Sequence, residues 1–539
     1  MIVSWDWLLE YVKPTASAAE VADKLMMTGL NLEGLDEVGD DLAIDLEVTS
    51  NRMDCLGHIG VAREISVCFS DELTIPAAQP AESGGTVGDA TSVTIECEDV
   101  CPRYVARVIK GVKVGSSPAW MQKRLATLGI APVNNIVDIT NYVLMECGQP
   151  LHAFDFDKLA ENRIVVRRAQ DGETIEAIDH NEYKLTSDMC VIADAEKPVA
   201  IGGVMGGAAT EISDGTTNVL VEVADFAVRS IRGTARELNL HSDSSFRFER
   251  GVDAEQLDWA SRRCCELILE LAGGELLEGS IWTGEQPPAA PDPVTLRFAR
   301  TKQVLGVDVP REESLKILES LGMDLVGEAS EDEASFIAPS WRRRDISREA
   351  DLLEEVARIH GYDKIPEDAV VPLTISQKSL RDRVIDRVCE VLTGNGFYEA
   401  VTMTFTDEKL NGLFTPRKTE TTLSVNHSSR RHENVLRQSL IPSLLQARRE
   451  NERHGSFNAQ LFEIASVFLE SDPGNPAAEP KVIGMVSGSS LVEMKGLLQA
   501  IAERVNPAST ITVKPSNVPQ FVEGRNAEIL LNGDSWGWF

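Results

Sequence analysis

Two stretches rich in proline and small residues set the plan on which this 539-residue chain can fold. They are Pro76-Ala77-Ala78-Gln79-Pro80, followed by Ser83-Gly84-Gly85, and Gln286-Pro287-Pro288-Ala289-Ala290-Pro291-Asp292-Pro293. Neither continues a helix or a central strand, because proline has no amide donor and glycine gives up the most backbone freedom on ordering. They part a module over about 1–75 from a long central domain over about 93–280 and from everything beyond 294. One core for the whole chain is excluded on size as well, since domains commonly run to roughly 100–200 residues.

Local patterns fill these segments. Ser17 and Glu20 form a capping box, Ala18, Val21, Ala22, Leu25 and Met26 follow at helical spacing, and Gly29 supplies the stop. Leu42, Ile44, Leu46 and Val48 alternate with Ala43, Asp45, Glu47 and Thr49, the period of a half-buried strand. Strand-like 294–298, a helical run through Leu315, Ile317, Leu318 and Leu321, and strand-like 336–339 make a small module over 294–367. From 375 to 539 helical runs mix with strand-like stretches such as 459–464, and the chain is expected to stop inside a strand at Ser535-Trp536-Gly537-Trp538-Phe539. The fold class is α+β and multidomain.

Charge narrows the partners. With 52 basic against 85 acidic side chains the net charge is −33, so unassisted binding to a nucleic-acid backbone is excluded unless basic residues are gathered locally. Two such gatherings exist, Arg229, Arg232, Arg236, Arg247 and Arg250, and Arg430, Arg431, Arg437, Arg448, Arg449 and Arg453. The first reads either as a local phosphate contact or as ordinary salt bridging to the excess acid, the second either as a helix that meets RNA or an acidic subunit or as a solvated face. Nine cysteines with neither zinc spacing nor a disulfide framework fit a reducing cytoplasm. No leader and no membrane span are expected.

Four segments could carry chemistry. The run Ile139-Thr140-Asn141-Tyr142-Val143, with Gly148-Gln149-Pro150-Leu151-His152-Ala153-Phe154-Asp155, puts Thr, Asn and His donors beside a proline-fixed turn; it is a ligand wall, or His152 is a core histidine satisfied by turn backbone. The glycines of 200–207 lack phosphate-loop spacing and are read as points of close backbone approach, to a strand or to a ligand. Val219, Val221 and Val223 share one side of a strand, which leaves Glu222 between Leu220 and Ala224 on the other, either at a solvent edge or buried with a partner. Asp351, Glu354 and Glu355 lie at helical spacing with Asp345 just upstream; they complement a helix dipole or hold a hard cation such as magnesium.

The runs Ser50-Asn51-Arg52-Met53-Asp54-Cys55-Leu56-Gly57, Asp138 to Tyr142, Gln149 to Asp155, Phe248-Glu249-Arg250-Gly251-Val252-Asp253 and Asp351 to Arg358 occur in an order that resembles the β subunits of bacterial phenylalanyl-tRNA synthetases. The resemblance implies a B3/B4 editing domain over 93–280, a B5 module over 294–367 and a catalytic-like class II antiparallel-sheet domain over 375–539. It also implies an α2β2 ligase whose α subunit binds ATP and phenylalanine, with tRNA(Phe) as the RNA partner. Carried over residue by residue, His152, Glu222 and Ser242 fall on catalytic editing positions. Thr140, Asn141, Gly203, Gly206 and Ser244 fall on the editing pocket, and Asp345, Asp351, Glu354 and Glu355 on a magnesium site shared with α. The family's oligonucleotide-binding insert and C-terminal anticodon-binding domain are not in this sequence, so a truncated gene product or a fragment is expected. A stand-alone deacylase and a non-catalytic RNA-binding scaffold are the alternatives.

Overall fold

The computed structural model describes residues 1–287, 291–368, 370, 372–414, 422–426, 432–469, 475 and 478–539. Pro288, Ala289, Ala290, Arg430 and Arg431, named above, lie outside the described residues. The chain divides into two units, Met1–Val370 and Val371–Phe539.

In the first unit the capping box forms as the spacing predicts, with Ser17 and Glu20 closing the start of helix Ala18–Met27. Strands Asn31–Val38 and Asp41–Glu47 form a hairpin, joined by Ile2–Ser4. The segment over 1–75 does not keep a core of its own. Trp7, Leu25, Ile44 and Ile59 pack in one apolar cluster with Ile139 and Val143 of helix Asn135–Cys147 and Cys264 and Ile268 of helix Leu257–Ala272. A polar chain crosses the same boundary, Trp7 donating to Tyr11 at 2.8 Å, Tyr11 to Glu146 at 2.7 Å, and Arg263 to Glu146 at 3.0 Å.

The central domain is a pair of sheets. The larger runs Glu82–Thr86, Glu275–Glu278, Arg103–Lys110, Asn218–Asp225, Leu151–Asp155, with Ile281–Gly284 also pairing on Arg103–Lys110. The other runs Met205–Gly206, Pro198–Ile201, Cys190–Ala193, Arg163–Arg168, Ser92–Ile95. One face of the larger sheet, carrying Val105, Val219, Val221 and Val223, joins the helical cluster. Its other face, with Tyr104, Ala106, Leu220 and Ala224, meets Ile164, Val191 and Ile201 of the second sheet. Strand alternation produces the division, since successive side chains point to opposite faces. The module beyond 294 has its own core, in which strands Val294–Arg297 and Glu333–Ile337 carry helices Arg311–Ser320 and Glu349–His360 through Leu296, Leu318, Phe336, Leu352 and Val356.

The second unit pairs helices Leu380–Gly394 and Leu491–Val505 around Leu392, Phe462 and Ile501. Strand Leu461–Ser466 runs antiparallel to Lys481–Val486 and parallel to the short Tyr398–Glu399, so this sheet is mixed rather than purely antiparallel. Strands Ile511–Pro515, Ala527–Leu531 and Asp534–Trp538 form an antiparallel sheet.

Candidate functional site

Glu222 lies in the middle of strand Asn218–Asp225, paired on one side with Ala106 and on the other with His152 of strand Leu151–Asp155. The alternation that sends its valine neighbours to the helical core sends Glu222 into the apolar layer between the two sheets, where it is 6% exposed. Tyr104 donates its hydroxyl to Glu222 Oε2 at 3.2 Å, and Oε1 has no hydrogen-bond partner among the described residues. Burial favours the neutral acid and pushes the carboxyl up to about 8, although the Tyr104 hydrogen bond pulls the other way.

Two histidines, His58 buried and His152 half-buried, show what an empty ring position means here. His58 stacks on Trp7 with centroids 3.9 Å apart, its Nδ1 meets the Met145 carbonyl at 2.7 Å, and its Nε2 accepts from the Ser4 amide at 3.1 Å. That ring is fully satisfied and serves the core. His152 lies edge-on to Phe154 at 4.5 Å, and its Nε2 is sealed from solvent with no hydrogen-bond partner. Burial lowers the His152 ring to about 4, so it is neutral near pH 7. The turn backbone does not satisfy Nε2, so His152 is not a core histidine capped by that turn at this atom. Gln149, just before it, ties the turn to the Glu222 strand by donating to the Ala224 carbonyl at 3.0 Å.

The second sheet closes on this pair through glycine. A Cβ at Gly206 would stand 2.3 Å from His152 Cε1, so any larger residue there displaces the ring. Gly203 has φ +69° and a Cβ there would meet Ile231 and Phe226, both within 3.0 Å. The glycines of 200–207 therefore serve close approach, to side chains at 203 and 206 and to the Val199 carbonyl at 207.

Ser242 caps helix Asp243–Phe248, accepting from the Ser245 amide at 3.0 Å, and donates to the Val204 carbonyl at 2.6 Å. It thus pins the Gly203 turn to that helix, with the half-buried Ser244 beside it. Thr140 donates to Val137 at 2.7 Å within helix Asn135–Cys147, whose apolar residues pack on the opposite face of the sheet from Glu222, and Asn141 is half-buried there. The structure therefore brings together Glu222, His152 and Gly206, links Ser242 to the Gly203 turn, and holds Thr140 and Asn141 in a separate layer. Tyr104 is the residue that sequence reading missed; a tyrosine inside the apolar run Tyr104-Val105-Ala106 was the available signal. A cavity of about 660 Å³ elsewhere in the unit is lined by Asp99, Arg103, Arg168, Asp225, Arg229 and Arg344 among others, and Glu222 and His152 do not line it.

The acidic helix start behaves differently. Glu355 pairs with Arg342 at 2.7 Å and with Arg358, Asp345 pairs with Arg342 at 2.6 Å and accepts from Asn51 at 3.0 Å. Asp351 accepts from the Ser347 and Arg348 amides at 3.0 and 2.8 Å and from the Arg348 side chain. Glu354 is exposed. Arginine and backbone donors already hold three of the four carboxylates, and the four do not converge as a group of ligands among the described residues. As placed, this set does not fit a resident magnesium ion. The pairs continue into the N-terminal segment: Arg358 also pairs with Glu64, Glu64 with Arg52 at 2.6 Å, and Arg52 with Asp54 at 2.8 Å. Asp54, Cys55 and Glu64 do lie close enough together to share an ion, but the Arg52 guanidinium touches all three.

Three family models match the chain: a B3/4 domain over residues 100–273, a tRNA synthetase B5 domain over 294–362, and a phenylalanyl tRNA synthetase beta chain CLM domain over 365–539. Among curated relatives, the phenylalanine–tRNA ligase beta subunit of Rhodopirellula baltica is 47% identical over 538 residues, covering 99% of this chain and 78% of its own length. The beta subunit of Salinibacter ruber is 41% identical over 443 residues, 81% of this chain and 53% of that one. That of Syntrophus aciditrophicus is 39% identical over 518 residues, 92% and 64%. The chain thus spans between 53% and 78% of the length of these three. No described helix is long and apolar enough to cross a membrane.

Proposed function

Because the chain belongs to the family of phenylalanine–tRNA ligase beta subunits, we propose that it works in the cytoplasm with an α subunit, in an α2β2 assembly, and removes tyrosine wrongly esterified to tRNA(Phe). In this reading the α subunit binds ATP and phenylalanine and makes the ester, and the central two-sheet domain proofreads it. The observation that carries the proposal is the buried Glu222 carboxyl, with one oxygen unpartnered, directly across the strand pair from a histidine whose Nε2 is also unpartnered.

The physics favours such a division of labour. Tyrosine exceeds phenylalanine by one hydroxyl, and an apolar synthetic pocket rejects that addition only ~10²-fold. A second site with a buried acceptor discriminates the other way, because phenylalanine leaves the acceptor unpaired. Glu222 receives the phenol. His152, neutral and held by Phe154 and Gly206, orients the ester or the attacking water. Water oxygen adds to the tyrosyl carbonyl carbon, the bond to the ribose oxygen breaks, and that oxygen leaves with a proton as the free hydroxyl of tRNA. Ser242 acts by holding the Gly203 turn, not as a nucleophile, since its hydroxyl is committed to Val204 and no base is bonded to it. Of the four carboxylates expected to hold a magnesium ion shared with the α subunit only Glu354 is exposed, the set as placed does not fit the ion, and no step is assigned to it.

The test is Glu222→Ala in the assembled enzyme. Tyrosine release from tRNA(Phe) falls at least ~10²-fold while phenylalanine charging stays within about twofold. Equal loss of both activities rejects the assignment.

A further inference from the structure

We propose that Tyr104 is the positioning residue of this site: its phenol occupies one oxygen of Glu222 and so leaves a single acceptor, correctly turned, for one incoming hydroxyl. The inference rests on the reading of Glu222 given above and deepens it. Tyr104 is fully buried on strand Arg103–Lys110, as the register partner of Ala224 and therefore diagonal to Glu222 on the same sheet face. Its hydroxyl meets Oε2 at 3.2 Å, and this is the only hydrogen bond Glu222 makes among the described residues. Burial and the neighbouring carboxyl push the Tyr104 phenol well above its ordinary value, so it remains a donor throughout the working pH range.

An internal phenol thus satisfies Glu222 in the same chemical manner as the ligand's phenol does. A carboxyl with both oxygens free rotates about its last torsion and accepts water; one held at Oε2 presents Oε1 in a fixed direction. The other titratable groups around Glu222 leave Tyr104 as the tuning partner. His152 is neutral above about pH 4, burial holds the Cys101 thiol well above its usual range, and the contact with Cys97 together with burial does the same for Cys190, so neither thiol carries charge beside it.

The experiment compares tyrosine with phenylalanine release from tRNA(Phe) across pH 5.5–9.5 in the assembled enzyme, the enzyme-free hydrolysis rate of each ester being subtracted at every pH before the ratio of the two rates is taken. In the wild type the ratio rises with a midpoint near the Glu222 value, as the ionised carboxyl becomes the stronger acceptor. Tyr104→Phe, which keeps the ring and removes the donor, moves the midpoint to higher pH and lowers the plateau ratio about tenfold or more. 3-Fluorotyrosine at position 104 keeps the hydroxyl as a stronger donor and moves the midpoint to lower pH. Opposite displacements by two nearly isosteric rings are not produced by a packing role. An unchanged midpoint and ratio in both proteins overturns the inference while leaving the editing reading intact, provided Glu222→Gln abolishes discrimination. Full discrimination in Glu222→Gln overturns both. Should Tyr104→Phe fold poorly, the fluorotyrosine arm alone decides, and no downward displacement there rejects the proposal.

Discussion

Two buried carboxylates in the first unit, Glu64 and Glu222, are 3% and 6% exposed and have opposite electrostatic fates. Glu64 receives Arg52 and Arg358, and their charges hold its carboxyl far below the usual range against the burial that would raise it. Glu222 receives one neutral hydroxyl and is raised to about 8. Burial alone therefore does not mark a site. A carboxylate whose charge is answered by guanidinium groups fastens elements together, whereas one left half-answered keeps an unfilled valence for something outside the chain. The same distinction separates His58 from His152, and it separates Glu355 from the magnesium role that its helical spacing suggested.

The largest test of this contrast is the pH dependence of stability. Folded Glu222 keeps its proton up to about pH 8, whereas the unfolded group releases it near 4.5. Stability is thus lost as pH rises between those values, by up to about 5 kcal/mol at 1.36 kcal/mol per pH unit. Glu64 and Glu355 have the opposite sign: their lowered values stabilise the fold above the ordinary carboxylate range, and that contribution disappears on acidification. Urea unfolding of wild type and Glu222→Gln at pH 5 and pH 9 should show the variant gaining on the wild type only at the alkaline end. Identical pH dependence in the two proteins breaks the contrast.

Glu64→Ala comes next. It leaves Arg52 and Arg358 buried with one partner fewer each, at a cost of about 3–5 kcal/mol. Because Glu64 sits on helix His58–Phe69 and Arg358 on Glu349–His360, the loss should appear in hydrogen exchange as early opening of the module beyond 294. Glu222→Ala, which removes no charge partner, should not open that module.

Gly206→Ala probes the site from the opposing sheet. Its methyl group at 2.3 Å from His152 Cε1 forces the ring aside, costing about 1–3 kcal/mol in thermal unfolding and lowering tyrosine release with little change in phenylalanine charging. Retention of full release would remove His152 from the mechanism.

What could be read in the sequence follows from how local each cause is. Val219, Val221 and Val223 fixed the face on which Glu222 lies, and Ser17 with Glu20 marked a helix start, because both patterns are contained within a few residues. Arg358 pairs with Glu355 at ordinary helical spacing, but its reach to Glu64 was illegible, because the pair spans 294 positions and no spacing rule reports it. Tyr104 was missed for the same reason, lying 118 positions from the carboxyl it serves. The glycines at 203 and 206 were readable as points of close approach, but only the fold names Phe226, Ile231 and His152 as what they approach.

Ser242→Ala has the smallest expected effect and sharpens the contrast between holding and reacting. The hydroxyl does two structural things, accepting from the Ser245 amide as a helix cap and donating to Val204 at 2.6 Å. Losing the cap costs about 1 kcal/mol. Losing the Val204 bond loosens the turn that carries Gly203, next to the strand Met205–Gly206 that presses on His152. If Ser242 only positions that turn, Ser242→Thr, which restores the hydroxyl, recovers both stability and tyrosine release, while Ser242→Ala lowers release a few-fold with an unchanged pH profile. A loss of release as deep as that of Glu222→Ala, with the thermal midpoint intact, would instead place the Ser242 hydroxyl on the reacting ester.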